Sequence, residues 1–175
     1  MQFKIAYEKA NTLYLRGDYF EAIRSFEEAI AAEPDDPSGY YGLGLVYAKL
    51  SDWDEAIKQN KRAVGLKRDL FEAHMNLGQC YSKLAARTGE KDYWKLARDA
   101  HARAFEIKPT STAALHSLAF DEWKARNEQA AAQHLEQLIV MDPVNMQARQ
   151  LLASIYLLRA RLPDAWRALM GRASP

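Results

Sequence analysis

The chain has 175 residues, and its 24 Lys and Arg against 23 Asp and Glu leave a net charge of +1, which gives no electrostatic attraction to nucleic acid or to an anionic membrane. No apolar run approaches the roughly 20 residues needed to span a bilayer, and the first residues, Met-Gln-Phe-Lys-Ile, lack the apolar segment of a signal peptide. We therefore expect a cytoplasmic protein that neither binds nucleic acid nor inserts into a membrane, although a sequence trimmed of a leader or anchor would look the same.

Small residues recur at a fixed spacing along the chain. Intervals of 34, 34, 41 and 34 residues separate Ala10, Gly44, Gly78, Ala119 and Ala153. A second series has intervals of 34, 41, 34 and 34 residues and consists of Ala22, Ala56, Ala97, Ala131 and Ala165. The two series together place seven extra residues between Gly78 and Ala97, and we assign them to the segment 85–91.

Each unit carries two apolar stripes with helical spacing, so the sequence predicts a pair of helices per unit. The pair Asp36-Pro37 predicts the start of the third helix, and Ser51-Asp52 predicts the cap of the fourth. Asp69 with Glu72 three residues later predicts a capping-box start for the fifth helix. That helix should be about one turn longer than the others and should end at Gly89, with the inserted residues projecting as a loop from one edge. The last helix is predicted from Pro163 to about Met170.

Larger residues keep the same frame. Leucine precedes the small slot at 43, 77, 118 and 152, tyrosine follows it at 47, 81 and 156, and proline closes units at 34, 109 and 143. This 34-residue helix-turn-helix pattern resembles the tetratricopeptide repeat. The resemblance covers nearly the whole chain, as one domain (1–175) of five repeats at about 3–36, 37–70, 71–111, 112–145 and 146–175.

The resemblance implies an all-α fold, an α-solenoid of antiparallel helix pairs wound into a right-handed superhelix. It also implies a non-catalytic protein-binding module, an adaptor or assembly factor that holds a peptide or protein segment of unknown identity in a concave groove lined by the first helix of each pair. A second stripe beside the core stripe of these helices should line this groove, together with lysines that recur one position further on. The predicted groove residues are Tyr7, Asn11, Tyr14, Tyr41, Leu45, Lys49, Met75, Gln79, Lys83, His116, Phe120, Trp123 and Lys124.

Two alternatives accompany this interpretation. Aromatic residues such as Tyr14 and Tyr41 often occupy these positions for packing alone. The protein could also be a scaffold that stacks head to tail, because residues 3–36 carry four basic and eight acidic side chains, whereas residues 146–175 carry five arginines and one aspartate. Some tetratricopeptide co-chaperones hold a C-terminal carboxylate with Lys and Asn residues, but this chain matches that pattern only once in either register, at Asn11 or at Asn76, and Glu72 would repel a carboxylate. Binding of a chaperone C-terminus is therefore disfavoured.

Other residue combinations carry no catalytic or cofactor signal. His74 and His101 share one unit, but nothing completes a metal site around them, so each is interpreted as a packing residue. Asp121 and Glu122 point about 100° apart on one helix, which favours solvated charges over a catalytic pair. The single cysteine, Cys80, lies on an apolar helix face, which predicts a buried and unreactive thiol. We therefore predict no enzyme activity, no metal and no cofactor.

Overall fold

The structure, a computed structural model, describes residues 1–158, 164 and 168–170. Over these residues the chain forms nine long α-helices and no strand. They are α1 (Gln2–Arg16), α2 (Tyr19–Ala32), α3 (Pro37–Lys49), α4 (Trp53–Leu66), α5 (Phe71–Thr88), α6 (Lys91–Ile107), α7 (Thr112–Lys124), α8 (Glu128–Met141) and α9 (Met146–Leu158). The predicted all-α helical-repeat solenoid is confirmed, while the helix predicted from Pro163 to about Met170 lies largely outside the described residues.

Two helix starts follow the capping residues predicted from the sequence. The Asp36 carboxylate accepts a hydrogen bond from the Ser38 backbone N–H at 2.7 Å, and α3 begins at Pro37. Asp52 caps α4 in the same way, at 3.2 Å from the Glu55 nitrogen. Each carboxylate satisfies a backbone donor that has no partner inside the helix, so these starts are fixed locally.

The predicted capping box at the start of α5 is wrong. The residue that precedes the helix is Leu70, which makes no side-chain cap hydrogen bond. Asp69 lies one position too early in the turn to cap the first N–H groups of the helix. The start of α5 at Phe71 therefore depends on packing rather than on a local cap.

The seven-residue insertion lengthens two helices. α5 has 18 residues and α6 has 17, whereas the other seven helices have 13 to 15. Gly89 ends α5 in a left-handed conformation, with φ at 77°, as predicted. The expected projecting loop is wrong, because only Gly89 and Glu90 of the insertion are non-helical and Ala85 is buried.

The helices form two layers. Each helix packs against its neighbours in sequence, and α1 also contacts α3, α3 contacts α5, and α5 contacts α7. The first helices of successive units therefore lie side by side and present one continuous surface. Such an array is built from contacts between adjacent units, which is typical of repeat proteins.

The small slots of the repeat allow the two helices of a unit to approach closely. In four units the second helix carries a nearly fully buried side chain four residues after its repeated alanine. These side chains are Phe26, Asn60, His101 and Leu135. A Cβ atom added at Gly44 would overlap the Asn60 amide, and one added at Gly78 would overlap the His101 ring. Glycine at 44 and 78 is therefore required by packing rather than by helix propensity.

Candidate binding groove

A groove of about 990 Å³ crosses the surface formed by α3, α5 and α7. α5 is its central helix, and α6 contributes Trp94 and His101 between α5 and α7. Eight of the thirteen predicted groove residues line it: Tyr41, Leu45, Met75, Gln79, Lys83, His116, Phe120 and Lys124. The structure thus brings together predicted residues from the second, third and fourth units.

The other five predicted residues lie outside the groove lining. Tyr7 and Tyr14 are half-buried and pack against the buried residues of α1, α2 and α3. Trp123 is half-buried against the core formed by α7, α8 and α9. Asn11 lies on α1, and Lys49 is exposed at the end of α3. For the aromatic residues of α1 the packing explanation is therefore the better one.

Aromatic rings form one corner of the groove. The Phe120 ring lies edge to face with Trp94 at 6.1 Å between centroids and with Trp123 at 5.9 Å. The Lys124 ammonium lies over both rings of α7, at 5.3 Å from the Phe120 centroid and 4.5 Å from that of Trp123. Sequence reasoning missed Trp94, because it begins the second helix of its pair and only tertiary packing brings it against α7.

A buried polar network lies beside the aromatic corner. The His101 Nδ1–H donates to Asp121 Oδ2 at 2.6 Å, since an ionised carboxylate can only accept, and the Ser82 hydroxyl donates to Asp121 Oδ1 at 2.8 Å. The His101 and Asp121 side chains are 4% and 1% exposed. The predicted solvated charge at Asp121 is wrong, because two donors from α5 and α6 satisfy the carboxylate inside the protein.

The sequence contained a signal for this network. At the position of Asp121 the neighbouring units have apolar or weakly polar residues, Val46, Cys80 and Ile155. At the position of His101, two of the other units have Phe26 and Leu135. A histidine and an aspartate that both replace core residues, in adjacent units, are expected to be each other's partners, because a buried charge is tolerated only when it is paired.

Glu122 is also buried rather than solvated, so the prediction of a solvated charge is wrong here as well. It is 7% exposed and stands where Tyr47, Tyr81 and Tyr156 stand in other units. It lies near His134, whose pKa is lowered by burial and raised in part by the negative charge of Glu122. Glu122 on α7 and His134 on α8 both lie outside the groove lining.

The charges in the groove are separated along its length. Glu72, the second residue of α5, lies near Tyr41, and burial together with the charge of Glu72 raises the pKa of Tyr41 to about 12. Lys83 and Lys124 occupy equivalent positions late in α5 and α7. Between these ends, His116 is half-buried, and burial lowers its pKa, so that it is neutral at pH 7.

Two further predictions concern potential reactive or metal-binding side chains. Cys80 is fully buried, as predicted, and burial raises its pKa to about 12, which favours an unreactive thiol. His74 Nε2 lies 3.0 Å from the Arg68 carbonyl oxygen, whereas His101 is bonded to Asp121. The structure therefore gives these two histidines separate protein partners.

Comparison with known proteins identifies the repeat. The family model of the TPR repeat matches residues 10–51. Within these residues the chain carries a tetratricopeptide repeat. A crystal structure of MamA protein superposes on this repeat array with a TM-score of 0.86, at 21% identity, covering 97% of this chain and 88% of that one. YrrB, described as a TPR protein with an unusual peptide-binding site, gives a TM-score of 0.81 at 20% identity, covering 94% and 81%.

At these identities the solved structures show the fold alone. Two curated relatives match about half of it. The Hsp70-Hsp90 organising protein of Plasmodium falciparum (isolate 3D7) is 23% identical over 96 residues, and the protein O-mannosyl-transferase Tmtc2 of Drosophila melanogaster is 26% identical over 98 residues. The matches span 55% and 54% of this chain but 17% and 10% of those proteins.

No described helix combines the length and the apolar character that crossing a bilayer requires.

Proposed function

We propose that this protein is a non-catalytic interaction module that binds a peptide or protein segment in the groove across α3, α5 and α7. The observation that supports this proposal is the groove itself. Half-buried apolar and aromatic side chains from three adjacent first helices line it, together with a few polar groups. Specific binding sites commonly combine these features. The peptide-binding site named for YrrB and the organising role named for the Plasmodium relative support the same class of function.

The absence of catalysis is part of this proposal. Asp121, the most buried acidic group of the groove, has both oxygens engaged by His101 and Ser82, so neither is free to accept a proton from a substrate. The Cys80 thiol is buried and protonated at neutral pH. The match to a transferase spans 10% of that protein and does not identify the part that transfers sugar.

Site-specific photo-crosslinking in a lysate of the source organism tests the proposal. A benzophenone amino acid at Gln79, exposed within the groove, should give discrete adducts, whereas the same group at Arg24, exposed on α2, should give none. Phe120→Ala should lower the adduct yield, with the urea midpoint measured to show that the variant is folded. Equal adducts from both positions, or adducts unaffected by Phe120→Ala in a folded protein, would contradict the proposal.

The alternative is a scaffold that associates head to tail. The acidic first unit and the basic last unit favour it, and the first unit also exposes Leu15 and Phe20, at 83% and 72%. Light scattering at high protein concentration should then show oligomers at low salt that dissociate as salt is added. A monomer under all conditions removes this alternative and leaves the groove proposal intact.

A further inference from the structure

The basic part of the groove has cations without matching anions. Lys83 and Lys124 both line it, and the ion pairs formed among the described residues include neither of them. The nearby carboxylate of Asp121 already accepts hydrogen bonds from His101 and Ser82. Two ammonium groups without a carboxylate partner favour a ligand that brings a negative charge.

The same part of the groove has an apolar wall. Trp94 and Phe120 form an edge-to-face pair, and both line the groove. Ala86, which belongs to the one-turn extension of α5, lines it as well. The extension thus adds surface to the groove beside the two lysines, and a large side chain of a ligand would contact two rings there.

The opposite part of the groove disfavours the same ligand in the reversed orientation. Glu72 and Tyr41 both line that part, where burial and then the negative charge of Glu72 raise the pKa of Tyr41. A carboxylate placed beside Glu72 would be repelled, whereas one placed beside Lys83 and Lys124 would be attracted. The separation of charges therefore favours one orientation of a bound segment.

We propose that the groove recognises a peptide segment in which an aromatic or large aliphatic side chain is next to a carboxylate, with the apolar group against Trp94 and Phe120 and the carboxylate between Lys83 and Lys124. The extension of α5 and α6 is then a specificity element of the binding site. This inference rests on the proposed function, because it names the class of segment that the groove binds.

Selection of a phage-displayed library of random dodecapeptides on the full chain tests the inference. Selected peptides should combine Phe, Tyr, Trp or Leu with Asp or Glu within two positions. They are then synthesised with blocked ends, and each acid is compared with its amide, Asp with Asn or Glu with Gln. The change from acid to amide should weaken binding by about three- to fivefold, the upper part of the range expected for exposed charge pairs.

The protein variants assign this effect to the two lysines. In Lys83→Gln with Lys124→Gln, acid and amide peptides should bind within about twofold of each other. The matched control, Lys58→Gln with Lys61→Gln on exposed positions of α4, should keep the full difference. Added salt should reduce the difference in the unaltered protein and leave the double variant unchanged.

Two outcomes separate the inference from the function on which it rests. Peptides whose binding is weakened by Phe120→Ala but is unaffected by the change from acid to amide would overturn the inference and leave groove binding in place. Selection of no peptide, or only of peptides insensitive to Phe120→Ala, would overturn both.

Discussion

The buried pair of His101 and Asp121 provides a sharp test of the structure. Their side chains are 4% and 1% exposed and meet at 2.6 Å, so neither can turn to water if the other is removed. Changing one partner to the apolar residue of a neighbouring unit, as in Asp121→Val or His101→Leu, should lower the free energy of unfolding by about 3–5 kcal/mol, the usual effect of leaving one buried member of such a pair alone.

The double variant should behave differently. Leu135 occupies the position of His101 in the next unit, and Val46 that of Asp121 in the second unit, so both replacements fit the repeat. Replacing a whole buried pair by apolar residues is commonly neutral or stabilising. His101→Leu with Asp121→Val should therefore lie within about 1 kcal/mol of the unaltered protein or above it, which gives a coupling energy of several kcal/mol.

Urea unfolding followed by circular dichroism measures all four proteins. With a slope of about 1–3 kcal/mol per molar urea, the single variants should lose more than about 1 M in midpoint. Single variants that lose less than about 1 kcal/mol, or losses that simply add in the double variant, would show that the two side chains do not interact as the structure has them.

Three further predictions concern packing, protonation and thiol reactivity. In urea unfolding, Gly78→Ala should lower the free energy of unfolding by about 1–3 kcal/mol, because its Cβ would overlap the His101 ring. Gly65→Ala has no atom within 4 Å of the new Cβ, so this variant should raise the free energy of unfolding by about 0.5–1 kcal/mol. Burial lowers the pKa of His116 in the folded state, so the unfolded chain binds this proton more tightly and stability should fall as the pH drops below about 6.5. Urea midpoints measured from pH 8 to pH 5 should show this fall, and His116→Gln should reduce it. Cys80 should react with a colorimetric disulfide reagent only in urea, because its thiol is buried; rapid reaction of the folded protein would contradict the packing of α5.

The sequence by itself determined the repeat. Spaced small residues can be identified without a structure because each repeat needs close helix contact at the same place, and Ala10, Gly44, Gly78, Ala119 and Ala153 are all buried where that need arises. Local capping fixed the starts of α3 and α4 through Asp36 and Asp52. Capping depends on neighbours within a few residues, and the small residues recur at a fixed spacing, so the amino-acid pattern is sufficient to predict both.

The groove required the tertiary structure. Helical spacing placed Phe120 and Trp123 on the same second stripe, one turn apart. Phe120 lines the groove, whereas Trp123 is half-buried against the core formed by α7, α8 and α9. Trp94 reaches Phe120 from another helix. A stripe defines which residues share a face, and only the positions of the neighbouring helices decide which part of that face stays open.

The polar network shows the same limit most clearly. Asp121 was predicted as a solvated charge because a single helix offers it no partner, yet His101 on α6 and Ser82 on α5 satisfy both of its oxygens. In the sequence, His101 lies 20 positions from Asp121 and Ser82 lies 39 positions from it. The sequence determines that a charge is present, but whether it is solvated or buried depends on partners that only folding brings within hydrogen-bond distance.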